Sequence, residues 1–433
     1  MTADPVEPRL ARRLGTTDAV VIGLGSMIGA GVFAAFAPAA AAAGTGLLVG
    51  LAVAAVVAYC NATSSAQLAA QYPTSGGTYV YGRERLGPWW GYLAGWGFVI
   101  GKTASCAAMA LTFAAYTVPP AWQRPVAVAA VVALTAVNYH GITRTARLTR
   151  ITVTVTLLAL AVMVAVSLTG PTVDASRLTT WSGPDVVWYG VLQSAGLLFF
   201  AFAGYARIAT LGEEVRDPGR TIPKAIQIAL AGTVAVYAAV AVTVLVALGA
   251  DGVSATAAPL AAAVGASAWS GASAVVRIGA AVAALGALLA LIAGVGRTSL
   301  AMARNRDLPG WLAAVHPKHQ VPHHSTVALA AVVCVLVLLV DLRGAIGFSS
   351  FGVLLYYLVA NVSAFTQTGR QRRFPRWLQV LGAAGCLVLV ATLPLTSVLS
   401  GAAVLGVGVL VRLARGWRSR AQQHEGSGRR PGR

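Results

Sequence analysis

The stretch VVIGLGSMIGAGVFAAF, Val20 to Phe36, decides how this chain is read. It is apolar enough to lie in a bilayer, yet Gly23, Gly25, Gly29 and Gly31 interrupt it. Each glycine in a helix interior costs about 1 kcal/mol relative to alanine. Pro38 follows, then a run of small residues to Gly44. Within lipid every backbone N–H and C=O has to be satisfied by the protein itself, unless a protein-lined cavity takes it over. A glycine cluster at mid-membrane therefore points to local unwinding around a ligand, or to close packing through contacts such as Gly25-x-x-x-Gly29. Spacing alone leaves both open, and the rest of the chain has to choose.

Working outward, the 433 residues are 57% hydrophobic and 10% charged. Apolar runs repeatedly reach the roughly 20 residues that cross a bilayer. The chain reads as an all-α polytopic membrane protein with twelve spans, at 17–43, 45–69, 88–117, 122–139, 147–169, 186–211, 224–249, 273–302, 323–341, 343–364, 376–394 and 395–414. The net charge of +19 could suggest nucleic acid, but its placement reports orientation instead. Alternate loops carry clusters such as Arg9, Arg12, Arg13; Arg144, Arg147, Arg150; and Arg370, Arg372, Arg373, Arg376, whereas the opposite loops hold only Arg124, Arg177, Arg277 and Arg343. By the positive-inside rule both termini are expected in the cytoplasm, in a multi-pass protein of the cytoplasmic (inner) membrane. Cys60, Cys106, Cys334 and Cys386 lack metal-ligand spacing and read as free thiols, so no metal and no cofactor is expected.

The third span contains Lys102, roughly 20 Å past Trp89 along a helix and too deep to snorkel to an interface. A lysine at such depth costs at least about 2.5–3.5 kcal/mol on the insertion scale, so it has to face a cavity or a partner. All thirteen carboxylates and all six histidines fall in loops or at span ends, which leaves Lys102 without a mid-membrane acid. Three roles stand side by side: a group that exchanges protons, an ammonium fixed by backbone carbonyls of broken helices, and a direct contact to an anionic part of a substrate.

The sixth span ends FFAFAGYARIATLGEEVRDPGRTIP, Phe199 to Pro223, with a weak point at Gly204. Spans 1 and 6 each open a five-span unit, and corresponding interruptions in two halves point to a transporter built from inverted repeats. An odd number of spans per unit requires the inversion. The expected organisation is a cytoplasmic arm (1–16), a first repeat (17–169), a second inverted repeat (186–364), two further spans (376–414) and a basic cytoplasmic tail (415–433).

Three motifs together resemble the amino acid–polyamine–organocation permeases: GSMIGAGVF (Gly25–Phe33), the sixth-span sequence just quoted, and RTSLAMARNRDLP (Arg297–Pro309). The resemblance covers nearly the whole chain. It implies a LeuT-like 5+5 inverted-repeat fold that works by alternating access. It further implies that the backbone of Met27, Ile28, Gly29, Ala30 and Gly31 offers N–H groups to an amino acid's carboxylate, as a half-helix N-terminus favours anions. Phe200, Ala201, Phe202, Ala203 and Gly204 complete the site, the carbonyls of Phe200, Ala201 and Ala203 taking the α-ammonium. Phe200 matches the aromatic gate. Two devices of relatives are not intact. The fifth-span lysine of proton-coupled relatives is matched by Thr156, and the span-8 interior, Ile278 to Gly296, carries no hydroxyl. Lys102 and Thr156 are thus the coupling candidates.

The function these residues imply is secondary transport of an amino acid, neutral by preference, with protons or exchange driving it. A polyamine, another amine or an acidic amino acid with Lys102 as its contact is the alternative. An intramembrane enzyme is disfavoured for want of H-E-x-x-H, a mid-membrane carboxylate pair or a P-loop, and a sensor for want of a signalling domain. The expected partners are the small-molecule substrate, membrane lipid and protons, with no nucleic acid; the sequence does not set the oligomeric state.

Overall fold

The computed structural model describes residues 14–74, 76–141, 146–179 and 188–427. Among them there is no strand, only an isolated bridge between Leu14 and Val215. Ten helical runs are long and apolar enough to cross a membrane, and two shorter apolar helices, His323–Leu339 and Arg376–Thr392, accompany them. This is an integral membrane protein whose described regular elements are all helices.

The first quoted stretch is not one helix. It forms α1 (Thr16–Met27), α2 (Gly31–Ala34) and α3 (Phe36–Ala43). Ile28 leaves helical geometry at φ −82, ψ 39, and helix resumes at Gly31. The chain continues through α4 (Leu47–Gln71), a short α5 (Gly77–Leu86), α6 (Pro88–Thr117), α7 (Gln123–Tyr139) and α8 (Ala146–Ser167). α6 starts with Pro88 in its first turn, where the missing N–H costs nothing. It then carries Lys102 in its middle.

The second half opens with α9 (Trp188–Phe202), a 3₁₀ turn at Ala203–Tyr205 and α10 (Ala206–Ala209). A 3₁₀ stretch inside a helix marks a strained or hinged position. The weak point expected at Gly204 is therefore a tightening of the helix, milder than the break of α1. Next come α11 (Pro218–Ser254), kinked at Gly249 (φ 72), α12 (Pro259–Gly265), α13 (Ser273–Arg304), α14 (His323–Leu339) and α15 (Leu342–Phe365). α16 (Arg376–Thr392) and α17 (Leu395–Ser427) close the chain. The basic segment expected as a tail begins as a helical continuation of α17.

Polar side chains hold the bundle where lipid-like interiors give no hydrophobic preference for one packing. Between α4 and α15, Asn361 donates to Asn61 Oδ1 at 2.6 Å and Ser64 donates to Asn361 Oδ1 at 2.7 Å. Gln67 Nε2 donates to the Ala364 carbonyl at 3.2 Å, one turn further along the same seam. Near the end of α13, Asp307 pairs with Arg83 at 3.0 Å and Arg412 at 2.5 Å, and Tyr79 donates to it at 2.7 Å. Arg412 also lies over the Trp89 and Tyr92 rings. One carboxylate just past α13 thus ties α5 to α17 at the arginine-rich face, and Arg412 carries the tie on to α6.

Candidate functional site

The two interrupted helices cross at their interruptions. A Cβ added to Gly204 would lie 2.6 Å from the Met27 nitrogen and closer still to the Ser26 carbonyl. A Cβ on Gly31 would lie 2.7 Å from Ala201 Cα. Only glycine lets two backbones approach this closely, which is what the glycines of both motifs do here. Gly29 faces α13, with Ala287 Cβ 3.1 Å from where its own Cβ would be. Of the two readings left open by spacing, unwinding and close packing, both operate. α1 ends at Met27, and its glycines on either side of the break pack against α8, α10 and α9.

Three donors converge on backbone carbonyls at this crossing. The Tyr237 hydroxyl, from α11, lies 2.5 Å from Met27 O and 3.0 Å from Ala201 O, so it sits between one carbonyl from each broken helix. The Tyr357 hydroxyl, from α15, donates to Ala203 O at 3.2 Å. Lys102 Nζ donates to the same oxygen at 3.4 Å. Tyr116 adds a bond to Phe33 O at 3.0 Å, just past the first break. A helix interruption in an apolar setting leaves carbonyls that must find donors, and these four side chains supply them.

The sequence-derived candidates divide accordingly. Met27, Ala201 and Ala203 present their carbonyls to the tyrosines and to Lys102. Ile28, Gly29 and Ala30 form the non-helical link, and Gly31 and Gly204 make the close approaches. Phe200 is buried in a hydrophobic cluster that also includes residues of α6 and α13, while Phe202 packs its ring against Tyr237 at 5.0 Å. Lys102 is buried, and no ion pair among the described residues includes it. Thr156 is buried too, but its hydroxyl donates to Thr152 O within its own helix at 2.8 Å. Tyr237 and Tyr357 were not singled out by sequence. Their signal was available: a phenol far inside an apolar run needs a hydrogen-bond partner.

Chemically, the crossing offers carbonyl acceptors, one titratable ammonium and an apolar wall. Among the described residues no three of His, Cys, Asp or Glu gather in an arrangement that would hold a metal ion.

A family model described as amino acid permease matches residues 14–410. An uncharacterized transporter of Mycobacterium tuberculosis (strain ATCC 25618 / H37Rv) is 62% identical over 410 residues, 94% of this chain and 92% of that protein. A branched-chain amino acid permease of Bacillus subtilis (strain 168) is 25% identical over 393 residues, 86% of this chain and 84% of its own. A chloroplastic cationic amino acid transporter of Arabidopsis thaliana is 28% identical over 386 residues, covering 82% and 66%. These are transporters and not enzymes. With a match that runs from just before α1 into the last helix, this chain belongs to the amino acid permease family.

Proposed function

We propose that the protein is a secondary transporter of a neutral amino acid that works by alternating access, with protons as the coupling ion. The observation that carries this reading is the crossing of two interrupted helices, with Lys102 placed on a carbonyl of one of them. In this reading the carbonyls and N–H groups around Met27–Gly31 and Phe200–Gly204 hold the α-carboxylate and α-ammonium, and Phe200 closes over them. The chain is then a 5+5 inverted repeat (17–169 and 186–364) followed by two spans (376–414), twelve in all, in the cytoplasmic membrane. Both the 1–16 arm and the 415–433 tail lie on the cytoplasmic side, in keeping with the arginine-rich loops.

Charge supports a neutral substrate. The described residues bring no carboxylate to the crossing, so a cationic side chain would meet Lys102 without compensation. Lys102 brings a titratable ammonium to the crossing, its Nζ 3.4 Å from Ala203 O. Protonated, Lys102 anchors Ala203 O; deprotonated, it loosens that anchor and lets the 3₁₀ turn move. Thr156, turned onto its own helix, leaves this task to Lys102.

The test is uptake of radiolabelled leucine and alanine into proteoliposomes by Lys102→Met and Lys102→Arg. Coupling predicts that the methionine variant loses uptake driven by a pH gradient and keeps counterflow, and that replacing sodium changes nothing. Parent-like uptake with an unchanged pH profile in Lys102→Met would overturn the coupling role.

A further inference from the structure

Five imidazoles gather where the end of α7 meets the connection between α13 and α14: His140, His316, His319, His323 and His324. Ring centroids lie 4.7 Å apart for His316 and His319, 5.4 Å for His316 and His323, 5.4 Å for His140 and His319, and 4.2 Å for His323 and His324. The Tyr139 ring packs on four of them, at 5.3 Å from His316 and 6.2 Å from His319 and His323. His140 donates from Nδ1 to Ala136 O at 2.8 Å, and His324 to Trp311 O at 2.9 Å, which orients both rings. His316 works the other way. Its Nδ1 accepts the N–H groups of Lys318 and His319, each at 3.2 Å, and so holds the turn that carries the cluster. α7 thus contributes Tyr139 and His140, the connection His316, Lys318 and His319, and α14 His323 and His324. Among the described residues no ion pair includes a histidine.

A ring that accepts at Nδ1 carries its proton on Nε2, so a second proton has to land on Nδ1, and both turn bonds are then lost. Protonation also sets imidazolium charges about 5 Å from one another, beside Lys318 and without a paired carboxylate to offset them. We propose that the cluster is an acid-sensitive clasp: neutral, it holds the α13–α14 connection against α7; protonated, it opens and slows transport. The route to the crossing is α13 itself, which places Ala287 beside Gly29 and runs on to Arg304, where the connection begins. Asp307 ties that connection to α5 and α17, and the histidines tie it to α7, so an open clasp removes one of the ties that position α13. The effect on transport rests on the amino acid reading above, whereas the clasp itself does not.

Parent, His316→Asn and His319→Gln are compared as full-length proteins in proteoliposomes by counterflow of radiolabelled amino acids, with the same pH on both sides so that no proton gradient drives exchange. Asparagine offers its Oδ1 to the same two N–H groups in an Asx turn and takes up no proton in this range. Between pH 7.5 and 5.5 the parent rate should fall about five- to tenfold, and that of His316→Asn less than about twofold. His319→Gln, which removes one of the charges, should fall between the two. Amide exchange over residues 297–304, the end of α13, corrected for intrinsic rates, should quicken at pH 5.5 in the parent and not in His316→Asn. A parent rate that is flat over this range, or an equal fall in His316→Asn, overturns the clasp. A parent that exchanges no amino acid at pH 7.5 overturns the transport reading alone; amide exchange then decides the clasp, and unchanged protection of 297–304 at pH 5.5 overturns it.

Discussion

Gly204→Ala is the sharpest perturbation of the crossing. The added methyl would sit 2.6 Å from the Met27 nitrogen and nearer still to the Ser26 carbonyl, whereas carbon contacts are comfortable at about 3.5–4.0 Å. The neighbours are backbone atoms of α1 rather than the ends of flexible side chains, so relief requires the two helices to part by about 1 Å. Overpacking a close contact costs about 1–3 kcal/mol, and a clash between two backbones belongs at the upper end. At about 1.4 kcal/mol per factor of ten, the crossed state falls roughly a hundredfold in population. Parting the helices also pulls Met27 O and Ala201 O away from the single Tyr237 hydroxyl between them. A graded series makes the reasoning testable. Gly31→Ala should be the next most harmful, since its methyl meets Ala201 Cα at 2.7 Å. Gly29→Ala should be milder, at 3.1 Å from a side-chain methyl, and Gly294→Ala harmless, because nothing lies within 4 Å of its added carbon. Initial uptake rates in proteoliposomes, normalised to inserted protein, and melting in detergent measure the order. Parent-like uptake and melting in Gly204→Ala, or equal damage from Gly294→Ala, would refute the close-approach argument.

Two other sites give independent outcomes. Asp307→Asn leaves Arg83 and Arg412 without their shared anion at a site where the carboxylate is 6% exposed. Breaking a buried pair by removing one partner costs about 3–5 kcal/mol, so Asp307→Asn should melt well below Arg412→Ala; the reverse order would count against the hub. Partial burial first, then the His316 and His140 imidazoles and the Lys318 ammonium, hold His319 below the usual histidine range. The Tyr139 ring also faces it, and the His323 ring packs against Tyr139 and His316. A depressed folded-state value means that the unfolded chain binds the proton more tightly. Stability is therefore unaffected well above about pH 6.5 and falls as pH drops through that value. Amide exchange over 316–324, corrected for intrinsic rates, should rise between pH 7.5 and 5.5 and rise less in His319→Gln; identical profiles in both proteins would sink the assignment.

How much of this was legible before any coordinates follows from where the physical information resides. The break in α1 is local: four glycines in one apolar run, each weakening the helix, and the chain does leave helical geometry at Ile28. Gly204 is a single glycine flanked by good packing residues, so its position could be read, but the form it takes, a 3₁₀ turn, depends on α1 lying against it. The depth of Lys102 was legible from distance along α6, and a carbonyl of a broken helix was one of its three readings, but which carbonyl, Ala203 O in the 3₁₀ turn after α9, is not encoded in the spacing of α6. Thr156 shows the opposite case. Its alignment with a functional position was visible, yet a threonine in a helix can satisfy its hydroxyl on the preceding turn, and it does. The tyrosines are the instructive omission. Tyr237 and Tyr357 lie in apolar runs, and the sequence reading does not single them out. In a bilayer interior a regular helix spends its carbonyls on its own N–H groups, so spare acceptors gather where helices are interrupted. Donors that reach beyond their own helix find acceptors at such interruptions. Lys102, Tyr237 and Tyr357 are three such donors, and Met27, Ala201 and Ala203 are three such carbonyls at the two interruptions. Matching donors to breaks, rather than reading each span by its own periodicity, would have joined α6, α11 and α15 to the crossing from sequence alone.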